Sequence, residues 1–233
     1  MPSISRGVTT LRLPPTLSIF SIVSVLLASG LLLLGTATPG SAQLIEGVPV
    51  TVEIRPGMTL PTGGISETGP GLGAEIGYGL TASTRVGVGS GVEIRGGYQY
   101  GRLGCGACAG AGLQEDLAEE GFEAGLRWTP PFFTVAGLQP WIDGGALIGR
   151  KLQISGDQGN LVSDPALGWG AGFGVELPLG RSLALSPGIH VRGYTAEFNV
   201  PDLGFDLFGE PGTFVREVEV LDVSFEVGLS YGF

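Results

Sequence analysis

Lysine is nearly missing from this chain. Its 233 residues hold one Lys, one His and two Cys, and no long run of like charge. Basic residues number 12 against 22 acidic ones. Nucleic-acid phosphates are held by clustered Lys and Arg, so this supply argues against a nucleic-acid partner. A structural zinc site takes about four Cys or His ligands, and one His with one Cys pair does not supply them. Helical periodicity is also missing: after residue 43 no long segment repeats its apolar positions every three or four residues. The Gly-rich stretch 168–174 is no phosphate loop, because it lacks the Lys and the Ser or Thr and no helix follows it. No cofactor is expected.

Glycine is abundant instead, at 43 residues, where about 7% is usual. It does not recur every third residue, which excludes a collagen-like chain. Glycine weakens a strand unless backbones crowd or a narrow interior leaves no room for a side chain. Strands are what the pattern predicts. Eight segments alternate apolar with polar or small residues, at about 48–55, 72–82, 86–101, 118–129, 141–154, 167–177, 183–198 and 218–233. The last is the clearest. Leu221, Val223, Phe225, Val227, Leu229, Tyr231 and Phe233 alternate with Asp222, Ser224, Glu226, Gly228, Ser230 and Gly232. A period of two places them on opposite faces of a strand. Soluble strands usually run about five or six residues, whereas about ten tilted residues cross a bilayer.

One face of each segment is apolar, as with Val48, Val50, Val52 and Ile54 in the first, and Ile148, Leu152 and Ile154 in the fifth. The opposite faces carry Glu75, Glu93, Arg95, Glu119, Glu123, Arg127, Asp143, Lys151, Glu176, His190, Arg192, Asp222 and Glu226 among many glycines. In a soluble sandwich the apolar faces would meet in a core. In a membrane barrel they would meet lipid, and the polar faces would line a lumen. Alternation alone leaves both open, with a lipocalin-like barrel as a third choice. Strand length and a terminal aromatic favour the membrane barrel. Tyr78, Tyr98, Tyr100, Trp128, Trp141, Trp169, Tyr231 and Phe233 fall mostly near strand ends, which suits interfacial girdles. Long connections at 56–71, 102–117, 155–166 and 199–217 alternate with short ones at 83–85, 130–140 and 178–182. Long outside and short inside is the rule for such barrels. The expected fold is all-β, a closed antiparallel up-and-down transmembrane β-barrel of eight strands, with ten the nearest alternative.

The first 42 residues read differently. Arg6 and Arg12 precede an apolar run over 17–34, and small residues follow up to Ala42. That order predicts a secretory signal peptide cleaved after Ala42, against the alternative of an uncleaved membrane helix. The remaining segment, 43–233, then holds ten basic and 22 acidic residues, a net charge of −12.

The ending Leu229-Ser230-Tyr231-Gly232-Phe233 resembles the C-terminal strand of bacterial outer-membrane barrels. With the strand pattern and the leader, residues 43–233 resemble the small eight-stranded outer-membrane β-barrel proteins of the outer-membrane protein A transmembrane-domain and outer-membrane protein X type. The resemblance implies a bacterial outer-membrane location, lipids as surroundings, a monomer, and insertion by the barrel-assembly machinery. That machinery would read Leu229, Tyr231 and Phe233. It also suggests a structural or surface-interaction role, with a ligand held by the exterior loops. The inward charges are expected to pair and fill the narrow lumen. The alternative is a narrow channel, which an acidic excess would make cation-preferring. A lipid-modifying enzyme is the third reading, but His190-Val191-Arg192 lacks the His-x-Ser pair of outer-membrane lipid A deacylases. Cys105 and Cys108 form a C-x-x-C motif in an exported chain, where a local loop disulfide is the plain expectation and redox or metal chemistry the alternative.

Overall fold

Alternation becomes strand along most of the described residues. The computed structural model describes residues 48–66, 74–105, 116–135, 137–156, 159–201 and 213–233. The strands are β1 (Val50–Thr62), β2 (Ala74–Gly89), β3 (Val92–Cys105), β4 (Asp116–Trp128), β5 (Gln139–Gly156), β6 (Gly159–Val162), β7 (Ala166–Pro178), β8 (Leu183–Pro201) and β9 (Thr213–Gly232). The four-residue β6 folds back on the end of β5. The other eight pair antiparallel in chain order, and β9 pairs with β1 to close the barrel. Closure leaves those strands without an open edge along the lipid-facing section, a necessity in hydrocarbon, where no water satisfies a free N–H.

The register sets the bore. Cross-strand partners lead from Val52 through Thr84, Gly96, Ala124, Ala146, Trp169, Gly193 and Leu221 back to β1 at Thr62. The path climbs ten residues (52 to 62) around eight strands. At about 3.3 Å per residue and about 4.8 Å between strands, that climb tilts the strands by about 40° and sets the backbone about 8 Å from the axis.

Outside, the wall is apolar along the section that ends in the short turns. Ile54, Ile94, Phe122, Leu126, Ile142, Phe173, Phe225 and Leu229 are all about half exposed there. On β9 the outward residues from Leu221 to Phe233 cover about 30 Å along the axis at that tilt, close to a hydrocarbon thickness of about 25–30 Å. Toward the long connections the pattern inverts. Thr195, Glu197, Asn199, Glu217 and Glu219 point out and are exposed. Between them Ala196, Phe198, Val218 and Val220 point in and are buried, with Leu103, Leu117, Leu152 and Tyr194 beside them. A wall that faces lipid below faces water above, and its interior changes in the opposite sense.

Four sequence expectations need correction. The turn between the second and third strands is Ser90-Gly91, not 83–85, because both residues sit in the left-handed region (φ 55° and 76°) and close a two-residue hairpin. β1 does not stop at 55. It passes Pro56 and Pro61 to Thr62, and its pairing with β9 skips Arg55 and Pro56, where the proline has no N–H to give. β6 lies inside the stretch expected to be a plain loop, 155–166. In β5, Gly149 (φ 62°) forms a bulge opposite both β4 and β7. One extra residue reverses which way every later side chain points. Ile148 therefore faces out, while Leu152, expected on the same face, is fully buried inside.

Gly91 tests the turn. A Cβ there would collide with the carbonyl oxygen of Thr129, and the left-handed φ disfavours any other residue by about 1–2 kcal/mol. Gly96 is extended and has nothing within 4 Å of a Cβ. Urea unfolding in lipid vesicles should show Gly91→Ala less stable by at least that amount, and Gly96→Ala unchanged to within about 0.5 kcal/mol.

Candidate functional site in the barrel lumen

Inward positions along the lipid-facing section bring ionisable side chains together. β1 supplies Glu53 and Arg55, β2 Arg85, β3 Glu93 and Arg95, β4 Glu119, Glu123 and Arg127, and β5 Asp143 and Arg150. β7 supplies Glu176, β8 His190 and Arg192, and β9 Asp222 and Glu226. Six arginines thus face eight carboxylates in a bore about 16 Å wide between backbones.

Arg55 is the hub. Its Nη2 donates to Glu123 Oε1 at 2.8 Å, its Nη1 lies 3.0 Å from His190 Nε2, and its Nε is 3.5 Å from Glu226 Oε2. Arg95 donates to Asp143 Oδ2 at 2.7 Å and reaches Glu123 at 3.4 Å. A guanidinium can only donate, so His190 accepts at Nε2 and carries its proton on Nδ1. That nitrogen faces Asp143 Oδ1 at 3.5 Å.

Toward the short turns, Arg85 donates to Glu93 at 2.7 Å and to Glu176 at 3.3 Å, and its Nε is 3.7 Å from Glu53. Arg127 is 3.6 Å from Glu53, with its guanidinium carbon 4.0 Å above the centre of the Trp141 ring. Trp141 is 1% exposed and fills the lumen against Gly174 and Gly188, where any side chain would strike its ring. The sequence pattern puts it in an interfacial girdle, but its strand points it inward.

Toward the long connections, Arg192 donates to Ser224 and Glu226 and lies 3.8 Å from Asp222. Arg150 donates to Glu119 at 2.8 Å and to Gln99 at 3.0 Å. Its guanidinium carbon lies 5.3 Å from the Tyr194 ring centre, where the ionic layer meets the apolar one. Each of the eight carboxylates has an arginine nitrogen within 4 Å. Such pairing offsets the desolvation that would otherwise expel a buried charge. A void bordered by Arg95, Glu123, Leu147, His190 and Arg192 measures about 10 Å³, room for about one water.

Glu93, Arg95, Glu119, Glu123, Arg127, Asp143, Glu176, His190, Arg192, Asp222 and Glu226 all lie in this cluster. Glu75 does not. A bulge between Glu75 and Tyr78 turns it outward, and it is exposed. Lys151 does not either, because the Gly149 bulge sends Arg150 inward and leaves Lys151 half-buried opposite Glu120. Glu53, Arg55, Arg85 and Arg150 escape the sequence reading. The alternation of β1 holds the signal for the first two, opposite Val52 and Ile54. Arg85 is hidden by the misplaced turn. Leu229 and Tyr231 point outward, and Tyr231 and Phe233 meet edge to face at 5.0 Å. The terminal Phe233 N–H bonds Val50 O at 2.9 Å, fastening the chain end to β1. Cys105 ends β3, while Cys108 lies outside the described residues, as do the leader and the loop residues 106–115 and 202–212.

No protein-family model and no curated protein matches this chain. Solved structures do. Neisserial surface protein A is 14% identical, with 81% of this chain and 98% of that one aligned at a TM-score of 0.51. The outer membrane protein OprG from Pseudomonas aeruginosa is 12% identical, over 79% of this chain and 95% of that one, at 0.50. A major outer membrane protein from Thermus thermophilus is 14% identical, over 81% and 100%, at 0.50. The fold is that of the small outer-membrane β-barrels.

Removing the hub should leave Glu123 and Glu226 short of a buried partner. Arg55→Ala is expected to destabilise the barrel by about 3–5 kcal/mol in urea unfolding from vesicles. Lys151→Ala, outside the cluster, should stay within about 0.5 kcal/mol.

Proposed function

We propose that this chain is an integral protein of the bacterial outer membrane whose barrel is a closed, non-enzymatic scaffold. It presents its long-connection end for interaction at the cell surface. The short turns and the C-terminus then face the periplasm. On this reading the leader is removed after Ala42, and the assembly machinery engages the outward Leu229, Tyr231 and Phe233 during insertion. The mature protein is a monomer in lipid.

The observation that carries the reading is the filled lumen. Paired charges occupy it along the lipid-facing section, and Leu103, Leu117, Leu152, Phe198, Val218 and Val220 are packed above them. An ion entering from the surface would have to cross that apolar layer without hydration, at a cost far above thermal energy. The lumen carries an excess of two acidic groups, eight against six, which would make any leak cation-preferring. Catalysis by His190 has little support. The residue is 2% exposed, its ring nitrogens face Arg55 and Asp143, and a lipid head group has no route to it.

Reconstitution in planar bilayers tests the closed lumen. The protein is expected to raise no steady conductance and to show no discrete openings. Regular cation-selective steps in proportion to inserted protein would replace the scaffold with a channel.

A further inference from the structure

One connection on the short-turn side is neither short nor polar. From Trp128 at the end of β4 to Ile142 in β5, the chain runs fifteen residues without a charged side chain. Its first half, 130–135, reads Pro-Pro-Phe-Phe-Thr-Val. Two successive prolines hold that half stiff. The Thr129 N–H bonds the Gly91 carbonyl oxygen at 2.8 Å, and Pro131 packs against the same turn, its Cδ 3.2 Å from where a Cβ on Gly91 would stand. The Phe133 N–H bonds Pro130 O at 3.3 Å, and Val135 and Leu138 exchange backbone bonds of 3.0 and 2.9 Å. The segment is thus braced by its own backbone and by the neighbouring turn. Its large side chains are not covered: Phe132 is 84% exposed, and Phe133 and Val135 are more than half exposed.

Clustered apolar exposure of this kind marks a membrane or a protein contact. Three observations favour the membrane. The cluster continues the lipid-facing belt, because Trp128 and Ile142 are direct cross-strand partners that both point outward just above it. Its reach is short. Phe132 follows Thr129 by three residues, so its backbone lies at most about 10 Å beyond that residue, against a head-group region about 5–8 Å deep on each side of the hydrocarbon. The segment also offers no charge for the polar rim that surrounds a protein interface. The next connection, between β7 and β8, has the matching composition: Leu179 is about half exposed, and Arg181 is exposed beside it. Among the described residues Arg181 is the only exposed charged side chain at this end of the barrel, and its sign suits lipid phosphates.

We propose that residues 130–135 are an interfacial anchor. Phe132, Phe133 and Val135 lie in the boundary between head groups and acyl chains of the leaflet on the short-turn side, and they fix the depth at which the barrel sits. Aromatic rings are favoured at that boundary, and an apolar segment held there sinks by about 5–10 Å. The proline brace pre-forms the segment, so little ordering entropy opposes its insertion. This inference rests on the proposed membrane orientation, in which that leaflet is the periplasmic one.

The test uses the full mature chain in phospholipid nanodiscs and two paramagnetic probes, a gadolinium chelate dissolved in the water and a lipid with a nitroxide on its head group. NMR broadening is read at the Phe132 and Phe133 rings and the Val135 methyls. The Ile142 methyls report lipid, and the Val215 methyls, exposed at the opposite end, report water. The Phe132, Phe133 and Val135 signals should be broadened by the lipid nitroxide and, like those of Ile142, protected from the chelate. In a variant with Phe132→Ala and Phe133→Ala, broadening of Val135 by the chelate should rise to the level seen at Val215, while Ile142 stays protected. Chelate broadening of Phe132 and Phe133 as strong as that of Val215 in the unaltered chain overturns the anchor while the inserted barrel stands, and leaves the segment to a protein partner. So does a Val135 that stays protected in the double variant, because the rings are then not what holds the segment in lipid. A chain that will not insert into the nanodiscs overturns both the anchor and the membrane reading.

Discussion

Eight strands that climb ten residues around the barrel leave a bore too wide to close on backbone alone and too narrow to stay open once side chains point inward. That geometric constraint dictates how the interior is built. Inward side chains from opposite walls must meet, and whatever meets must be chemically matched. In the lipid-facing section they are arginines and carboxylates. In the section that rises above it they are leucines, valines, Phe198 and Tyr194. The outer wall obeys the reverse rule, because its neighbour is hydrocarbon below and water above. Along β9 the changeover falls between Val220, which is buried inside, and Leu221, which looks out. The alternation never breaks there; only the face that carries the apolar residues is exchanged.

The ionic section is a network rather than a set of pairs. Glu53 lies within 4 Å of Arg55, Arg85 and Arg127, and Asp143 lies within 4 Å of Arg55, Arg95, Arg127 and His190. Shared partners make single substitutions strongly non-additive. They also tie distant strands across the bore: Arg55 on β1 holds Glu123 on β4, and Arg85 on β2 holds Glu176 on β7. A one-residue slip of any strand would turn these charges into lipid, so the network and the apolar belt specify the same register. Trp141 closes the short-turn end of this section by packing where Gly174 and Gly188 leave room.

Much of this is legible in the sequence, and the failures share a cause. The closing strand is readable residue by residue, and the eight-strand count follows from alternation and connector length. Counting by twos, however, assumes that nothing resets the count. Gly149 does reset it: the bulge exchanges Lys151 for Arg150 inside and hides Leu152. A bulge in β2 does the same to Glu75. In so glycine-rich a chain, the two residues that build the Ser90-Gly91 turn do not stand out from glycines that merely thin a strand. The turn is therefore placed too early by pattern alone, and Arg85 is lost with it. Trp141 is misassigned because an aromatic near a strand end suits a girdle equally well. Only the space left by two glycines on neighbouring strands shows that the ring belongs inside. The switch to an apolar interior is written in Val218 and Val220, but it reads as a strand only when set against the partners on β8.

The most direct test of the inverted barrel compares two residues four apart on β5. In lipid nanodiscs, nuclear Overhauser contacts from acyl-chain protons should reach the methyl groups of Ile148 and be missing at Leu152. Leu152 should instead contact its neighbours in the barrel interior. Acyl-chain contacts of equal strength at both positions would mean that no reversal occurs at Gly149, and the account of how the lumen is filled would fail with it.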